Sequence, residues 1–446
     1  MPEPTLQDAI DQAGSPIRLL WKPEPPAWRP PVLPEEFVGW RKEQTANFET
    51  AALADLSHHM DDTFLHGADA TKLLSENSVN NYDRFVVGQA KQLIAVTKRG
   101  LLINDCIVTK EGEDSYTLVG LPLAQTWIRY RAEAGGYDVE IKTDPNTARR
   151  GGGGGDPVLF RFQIQGPNAM EITQSAFDNP IPETKFFHLA DVSLNGRRFR
   201  ALRHGMAGQP GFEFIGDYAD GEFVREALLK AGEPLGLVQV GAKAYPTTGV
   251  ESGWLAAPPP AIYSDPELKP YREWLSAYSF EGNFPFLSGS FFSEDIDDYY
   301  VSPLEVGYDR MISFDHDFIG RDALIASKDS VSRTKVTLEV AADEIASELG
   351  PDFDFQASHA KNRVELDGER VGLTFFLNFV DRLGTILALA VVDNAYASVG
   401  TELTLIWGSH PGHTASEAPG DFRTLRCRVV PTPYNEYARA AYRSNV

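Results

Sequence analysis

The chain predicts an α+β protein of three domains that ends in a small β-barrel. Three observations carry that prediction. From about residue 41 short helical and strand patterns alternate, and from about 333 the pattern changes to a succession of strands at regular spacing. The third is length: 446 residues suffice for about three domains of roughly 150 residues each.

Residues 1–40 are rich in proline, most densely at Lys22-Pro23-Glu24-Pro25-Pro26-Ala27-Trp28 and at Pro30-Pro31. Proline lacks an N–H and fixes φ, which disfavours regular helix and central strand. The segment therefore predicts an extended arm over the first domain, with Trp21 and Trp28 packing it down. Residues 41–150 form the expected first α/β domain. Asp69 is placed to cap a helix that starts at Ala70. Gln92–Val96 and Leu101–Val108 are strands around the turn Lys98-Arg99-Gly100, and Tyr116–Val119 is a third. Leu123–Ala134 is a helix stopped by Gly135-Gly136, and Tyr137–Ile141 is again a strand. Gly151–Gly155 is followed by a strand pattern, Pro157–Gln165, rather than a helix. It lacks the context of a phosphate loop and predicts a flexible surface loop. Residues 156–256 form the second α/β domain, with helices over Asn168–Ala176 and Glu222–Ala231. The latter carries Phe223, Ala227 and Leu228 at helical spacing. Residues 257–332 are an aromatic- and proline-rich connection. Residues 333–446 form the barrel, with strands over Lys335–Val340, Val371–Leu377, Thr385–Val392, Thr401–Trp407 and Arg426–Val430.

A formal charge of −22 argues against nucleic acid and anionic membrane as partners, and keeps a soluble enzyme in solution. An anionic cofactor would need local basic groups, which Lys98-Arg99, Arg129 and Arg203-His204 can supply. No apolar run reaches the ~20 residues that span a bilayer. Met1-Pro2-Glu3-Pro4 does not resemble a secretory signal. The two cysteines, Cys106 and Cys427, are far apart and are expected as reduced thiols in the cytoplasm. Neither zinc-type cysteine spacing nor a His-Glu-x-x-His run is present, so no metal is expected.

Two carboxylates interrupt apolar strands: Asp105 in Ile103-Asn104-Asp105-Cys106-Ile107-Val108, and Glu213 between Phe212 and Phe214. If buried, each needs a donor or must give up its charge. Gln165 both donates and accepts. It can contact a cofactor or stabilise the turn at Gly166-Pro167. Trp254 can stack on a flat ring or pack in a core. Adjacent side chains diverge, so one of His58 and His59 can support the fold while the other, His59, faces a pocket.

Five short signals occur in a fixed order: Asp55-Leu56-Ser57-His58-His59, Gly100-Leu101-Leu102-Ile103-Asn104-Asp105, Gln165-Gly166-Pro167, Gly211-Phe212-Glu213-Phe214 and Phe318-Ile319-Gly320-Arg321-Asp322-Ala323-Leu324. Together they resemble the folate-binding aminomethyltransferase family, whose type member is the T-protein of glycine cleavage. The resemblance implies its three-domain architecture, with folate bound by the two α/β domains, and tetrahydrofolate as cofactor. It implies a pterin-binding role for Glu213 and places Asp105 near the reacting folate nitrogens. Gln165, Trp254 and Arg203 are further candidates for cofactor binding.

Within that family, members acting on amines carry Gly-Ala-Arg-Asp before Glu-Ala-Gly. Here Gly241-Ala242-Lys243-Ala244-Tyr245-Pro246 precedes Glu251-Ser252-Gly253. That pattern resembles the tetrahydrofolate-dependent aryl O-demethylases. So do Arg203-His204-Gly205-Met206-Ala207-Gly208, Tyr271-Arg272-Glu273-Trp274-Leu275, Asp298-Tyr299-Tyr300-Val301 and Phe314-Asp315-His316-Asp317. The resemblance implies Tyr245 as acid or hydrogen-bond donor to the ether oxygen, with His59 and Asp105 as catalytic partners. Help of that kind is worth ~10²–10⁴-fold. His59, Tyr245, Leu121 and Trp28 are the substrate-binding candidates. Leu121 stands where vanillate-type enzymes carry an arginine, so a neutral substrate is expected. The expectation is cleavage of the methylenedioxy bridge of a neutral lignan such as sesamin, giving a catechol and 5,10-methylenetetrahydrofolate. The alternatives are O-demethylation of a methoxy-aromatic of vanillate or syringate type, giving 5-methyltetrahydrofolate, and a non-catalytic folate-binding protein. No obligate protein partner is expected.

Overall fold

The computed structural model describes residues 3–149, 154–284, 286–350, 353–414 and 422–443. Three sheets organise it. The first is antiparallel, in the order Ala90–Val96, Leu102–Gly112, Ser115–Gly120, Asp61–His66, Glu140–Asp144. The helix Pro122–Gly135 covers it and buries Leu123, Trp127 and Ile128. Gly136, in the left-handed conformation, stops that helix as expected. The strand expected over Tyr137–Ile141 runs from Glu140 to Asp144 instead. Asp69 sits at the N-cap of Ala70–Glu76, but its carboxylate caps nothing there. It accepts from the Asp138 N–H at 3.0 Å and ties the helix start to the neighbouring chain.

The second sheet runs Leu237–Val240, Ala51–Asp55, Leu159–Gln165, Gly211–Asp217, Arg197–Leu202, Leu189–Leu194. Only the pair Ala51–Asp55 with Leu237–Val240 is parallel. The strand Ala51–Asp55 therefore pairs with residues more than a hundred positions further on, although in sequence it falls in the segment 41–150. Side chains alternate across a strand. In Leu159–Gln165, Phe160, Phe162 and Ile164 enter the core under the helices Ala169–Ala176 and Gly221–Gly232. Arg161, Gln163 and Gln165 occupy the other face and are also buried.

The third sheet closes on itself. Glu369–Val380, Arg363–Leu366, Glu402–Trp407, Arg423–Val430, Arg333–Val340 and Thr385–Asp393 form a ring, because Glu369–Val380 also pairs with Thr385–Asp393. The short strand Ala357–Ser358 adds to its rim. This is the barrel expected from the strand spacing.

The arm is less extended than its proline content suggests. Leu6–Ala13 and Pro16–Leu20 are helices, capped by Thr5 and Ser15. Pro16 falls in the first turn, where a missing N–H costs nothing. The dense prolines lie beyond Trp21, and there the chain is irregular. Leu6, Ile10, Ile17 and Leu20 join one large core with the first sheet and the 257–332 segment. Of the five consecutive glycines, Gly151–Gly153 lie outside the described residues.

Candidate functional site

A cavity of about 980 Å³ opens where the first two sheets, the turns at 245–254 and the barrel meet. That is the upper end of the range for small-molecule sites and leaves room for two ligands side by side. Two strands of different sheets bring its carboxylates together: Asp105 from Leu102–Gly112 and Glu213 from Gly211–Asp217.

Asp105 is buried. Its Oδ2 accepts from Gln92 Nε2 at 2.6 Å and Trp254 Nε1 at 3.2 Å. Its Oδ1 is buried without a hydrogen-bond partner among the described residues. Burial pushes its pKa up to about 6, against the opposing pull of Gln92, Trp254 and Lys335. Trp254 thus lines the cavity and orients Asp105 through its indole N–H.

Glu213 is held from behind. Arg161 Nη1 donates to Glu213 Oε1 at 2.9 Å, and Arg161 Nη2 to Asp62 Oδ1 at 2.6 Å. All three side chains are nearly inaccessible. Burial raises the Asp62 pKa, and Arg161 opposes the rise. Glu213 lies directly opposite Gln163 in the antiparallel register, so their side chains share one face.

The two histidines diverge. His58 turns into the protein, with Nδ1 3.1 Å from Thr147 Oγ1 and Nε2 3.2 Å from Tyr218 OH. His59 lines the cavity, and neither of its ring nitrogens has a partner among the described residues. Burial, together with the neighbouring His58, lowers its pKa to about 3, so the ring is neutral. It meets Tyr245 edge-on, with centroids 4.5 Å apart, and Trp28 at 5.6 Å. Among the described residues Tyr245 OH donates to the sulfur of Met206, at 3.4 Å. Burial pushes its pKa well above the usual phenol value, so it is a protonated donor. Leu121 and Met60 complete the apolar surround.

Gln165 and Arg203 do not line the cavity, nor do Lys98, Arg99 and Arg129, which lie against Glu267, Asp297 and the Trp274 ring. Gln165 is packed behind Gln163, with Nε2 donating to Gln163 Oε1 at 2.6 Å. Arg203 is turned away by a bond from Nη1 to the Thr184 carbonyl at 2.8 Å. Sequence reasoning missed Gln92, Gln163, Arg161, Lys335 and Tyr308. The alternation Phe160-Arg161-Phe162-Gln163 was a usable signal, because it places two polar side chains on the same face of a buried strand. Lys335 comes from the barrel, and nothing near it in sequence announces that its Nζ reaches the Gly253 carbonyl at 2.7 Å.

The donor set fits a pterin. The Glu213 carboxylate could accept from one ring edge. Asn104 Nδ2, Gln163 Nε2 and Asp105 Oδ1 are buried and unpartnered among the described residues, and their residues line the same cavity. Buried polar atoms are rarely left unpaired, so such a cluster marks a polar ligand. Among the described residues there is no metal-binding cluster, and no helix is long and apolar enough to cross a membrane.

The chain is similar to several known proteins. Residues 23–258 match the family model described as the GCVT N-terminal domain. The chain is 35% identical to syringate O-demethylase from a Sphingobium species, over 98% of this chain and 97% of that protein. It is 30% identical to sesamin methylene transferase from a Sinomonas species, over 86% and 88%. The fold matches the glycine cleavage aminomethyltransferase T of Bartonella henselae with a TM-score of 0.63 over 97% of both chains. At 19% identity that likeness speaks to fold alone. Family model and relatives together define a tetrahydrofolate-dependent one-carbon transferase. The chain belongs to the folate-binding aminomethyltransferase family.

Proposed function

We propose that the enzyme cleaves an aryl ether of a small neutral aromatic molecule, and that its preferred substrate is a methylenedioxyphenyl compound of the lignan type, such as sesamin. The observation carrying this reading is the cluster His59, Tyr245, Trp28 and Leu121. It offers flat apolar walls and two neutral polar groups, and none of its members is charged. A benzoate would leave its carboxylate facing Leu121.

Bound tetrahydrofolate would supply two nucleophilic nitrogens, which together receive the methylene carbon as its two C–O bonds break, and the two protons they release end on the catechol oxygens. Glu213, braced by Arg161, holds the pterin edge. Asp105 Oδ1 takes up the proton released there, and a pKa near neutrality suits the task. Tyr245 OH donates to the ether oxygen as the C–O bond breaks, which stabilises the departing phenoxide. His59, neutral and able both to donate and to accept, orients the second oxygen of the ring. Alignment of the two ligands across one cavity supplies most of the remaining acceleration.

A second reading is O-demethylation of a methoxy-aromatic. Supporting it is the likeness to syringate O-demethylase, which extends over nearly the whole chain. An anaerobic incubation with tetrahydrofolate and either sesamin or syringate separates the two, with products read by mass spectrometry. A catechol together with 5,10-methylenetetrahydrofolate from sesamin is the expected result. Demethylated syringate with 5-methyltetrahydrofolate, and no turnover of sesamin, would establish the second reading.

We also place the protein in the cytoplasm. Both cysteines are free and buried, and burial raises both thiol pKa values, which suits unreactive thiols in a reducing compartment.

A further inference from the structure

Gln163 and Gln165 stand two apart on one face of the strand Leu159–Gln165, and both are almost wholly buried. Their amide orientations are determined by main-chain donors. The Ala207 N–H donates to Gln165 Oε1 at 2.7 Å, so the Nε2 end of Gln165 must face Gln163. The Met206 N–H donates to Gln163 Oε1 at 3.2 Å, and Gln165 Nε2 donates to the same oxygen at 2.6 Å. A backbone N–H cannot accept, so neither amide can flip without losing bonds. Gly205 makes this possible. A Cβ there would overlap the Gln165 carboxamide, so only glycine lets the 205–207 loop come this close. The outcome is that Gln163 Nε2 is a buried donor with no protein partner among the described residues, in the wall of the cavity and directly opposite Glu213.

We propose that Gln165 is a positioning residue that locks Gln163 as a donor to the C4 oxygen of the pterin, making the site selective for 4-oxo over 4-amino pterins. The inference rests on the reading of Glu213 as the pterin carboxylate partner. On the ring, the 2-amino group and N3–H donate, and the adjacent C4 oxygen accepts. A carboxylate paired with the first two leaves the third beside the next polar group on the same sheet face, which is Gln163. A 4-amino pterin puts an N–H₂ there and carries no hydrogen on N3, so Glu213 also loses a donor. Two donors then face each other, and the locked amide cannot turn its oxygen forward.

The test is equilibrium binding of tetrahydrofolate and of tetrahydroaminopterin, its 4-amino counterpart, to the full-length protein under anaerobic conditions. The donor clash at Gln163 alone predicts a preference of roughly 10- to 100-fold for the 4-oxo ligand, and the missing N3–H at Glu213 adds to it. Gln163→Met removes the donor and should lower the ratio of the two Kd values about 10-fold or more, down to the part that Glu213 sets at N3. Gln165→Met, and independently Gln165→Glu, which retains an acceptor for Ala207 but cannot donate when ionised, should lower the ratio at least about threefold by freeing the Gln163 amide. A structural loss would weaken both ligands alike and leave the ratio intact. A ratio unchanged in the Gln163 and Gln165 variants, with Glu213→Gln still weakening both ligands, overturns the positioning role and leaves the pterin site standing. Failure of Glu213→Gln to weaken either ligand overturns both.

Discussion

At the scale of single residues, the chemistry depends on groups kept in costly states. Asp105 is an example. Its pKa near 6 lies above its ordinary 3.8, so the folded protein holds the proton more tightly than the unfolded chain does. The stability contributed by protonation is complete below about pH 4 and is lost as pH rises through 6. By linkage the cost at pH 7 is on the order of 3 kcal/mol. Asp105→Asn should therefore be more stable than the parent at pH 7, by up to about that amount, and no more stable at pH 4. Its transfer rate should fall about 10²-fold or more. Urea unfolding at the two pH values checks the first part, and a stability gain independent of pH would refute the account. Tyr245 separates differently. Tyr245→Phe should slow transfer ~10²–10⁴-fold while leaving tetrahydrofolate affinity within about twofold if its hydroxyl serves the ether oxygen as proposed. Equal losses of binding and turnover would remove it from that role. Leu121→Arg places a cation in an apolar wall, and should lower KM for syringate while raising it for a neutral substrate.

Among elements, the strand Leu159–Gln165 shows what periodicity reveals and what it conceals. Its inner face, Phe160, Phe162 and Ile164, was legible as a buried strand from pattern alone. The partners of its outer face were not, because Arg161 meets Asp62 from another sheet, about a hundred residues earlier. Pairings of that range are set by tertiary packing. The same limit explains Gln165, which attracted attention as part of a motif but acts from behind Gln163. Asp105 and Glu213 were legible because a carboxylate amid apolar strand residues is anomalous on its face. The element also carries a prediction. Arg161→Met leaves two buried carboxylates without their shared cation, a change worth about 3–5 kcal/mol for a broken buried pair. It should lower the thermal midpoint by several degrees and abolish folate binding. Asp62→Asn in the same background should restore part of the stability but not the binding, since it removes one of the two repelling charges and leaves Glu213 unbraced. Recovery of binding in the double variant would show that Arg161 does not act through Glu213.

For the whole molecule, the question is how a barrel at the chain's end takes part in a site built by two other sheets. The barrel was legible from its strand spacing, but its docking was not, since single polar contacts across domains leave no periodic trace. One of these contacts is the pair Arg382–Glu251. Arg382 lies in the turn Asp381–Leu383 between two barrel strands, and Glu251 in the turn Val250–Ser252 that leads to Trp254. Burial pushes the Glu251 pKa up to about 7 against the opposing pull of Arg382. The sign of the linkage follows. Below about pH 5 Glu251 is largely neutral in the folded protein, and Arg382 has little charge to stabilise. Above pH 7 the carboxylate is ionised in a buried place, and the guanidinium offsets its desolvation. Arg382→Met should therefore cost about 1 kcal/mol more at pH 8 than at pH 5. Arg382→Met combined with Glu251→Gln should remove most of that pH dependence, because the double variant has no buried charge to abandon. Unfolding of the two variants across this pH range decides the matter. A penalty equal at both pH values would mean that Arg382 holds the barrel by packing on Phe48, over whose ring it also lies. The predicted pattern would instead make barrel docking, and with it the loop that presents Trp254 to Asp105, a property of charge.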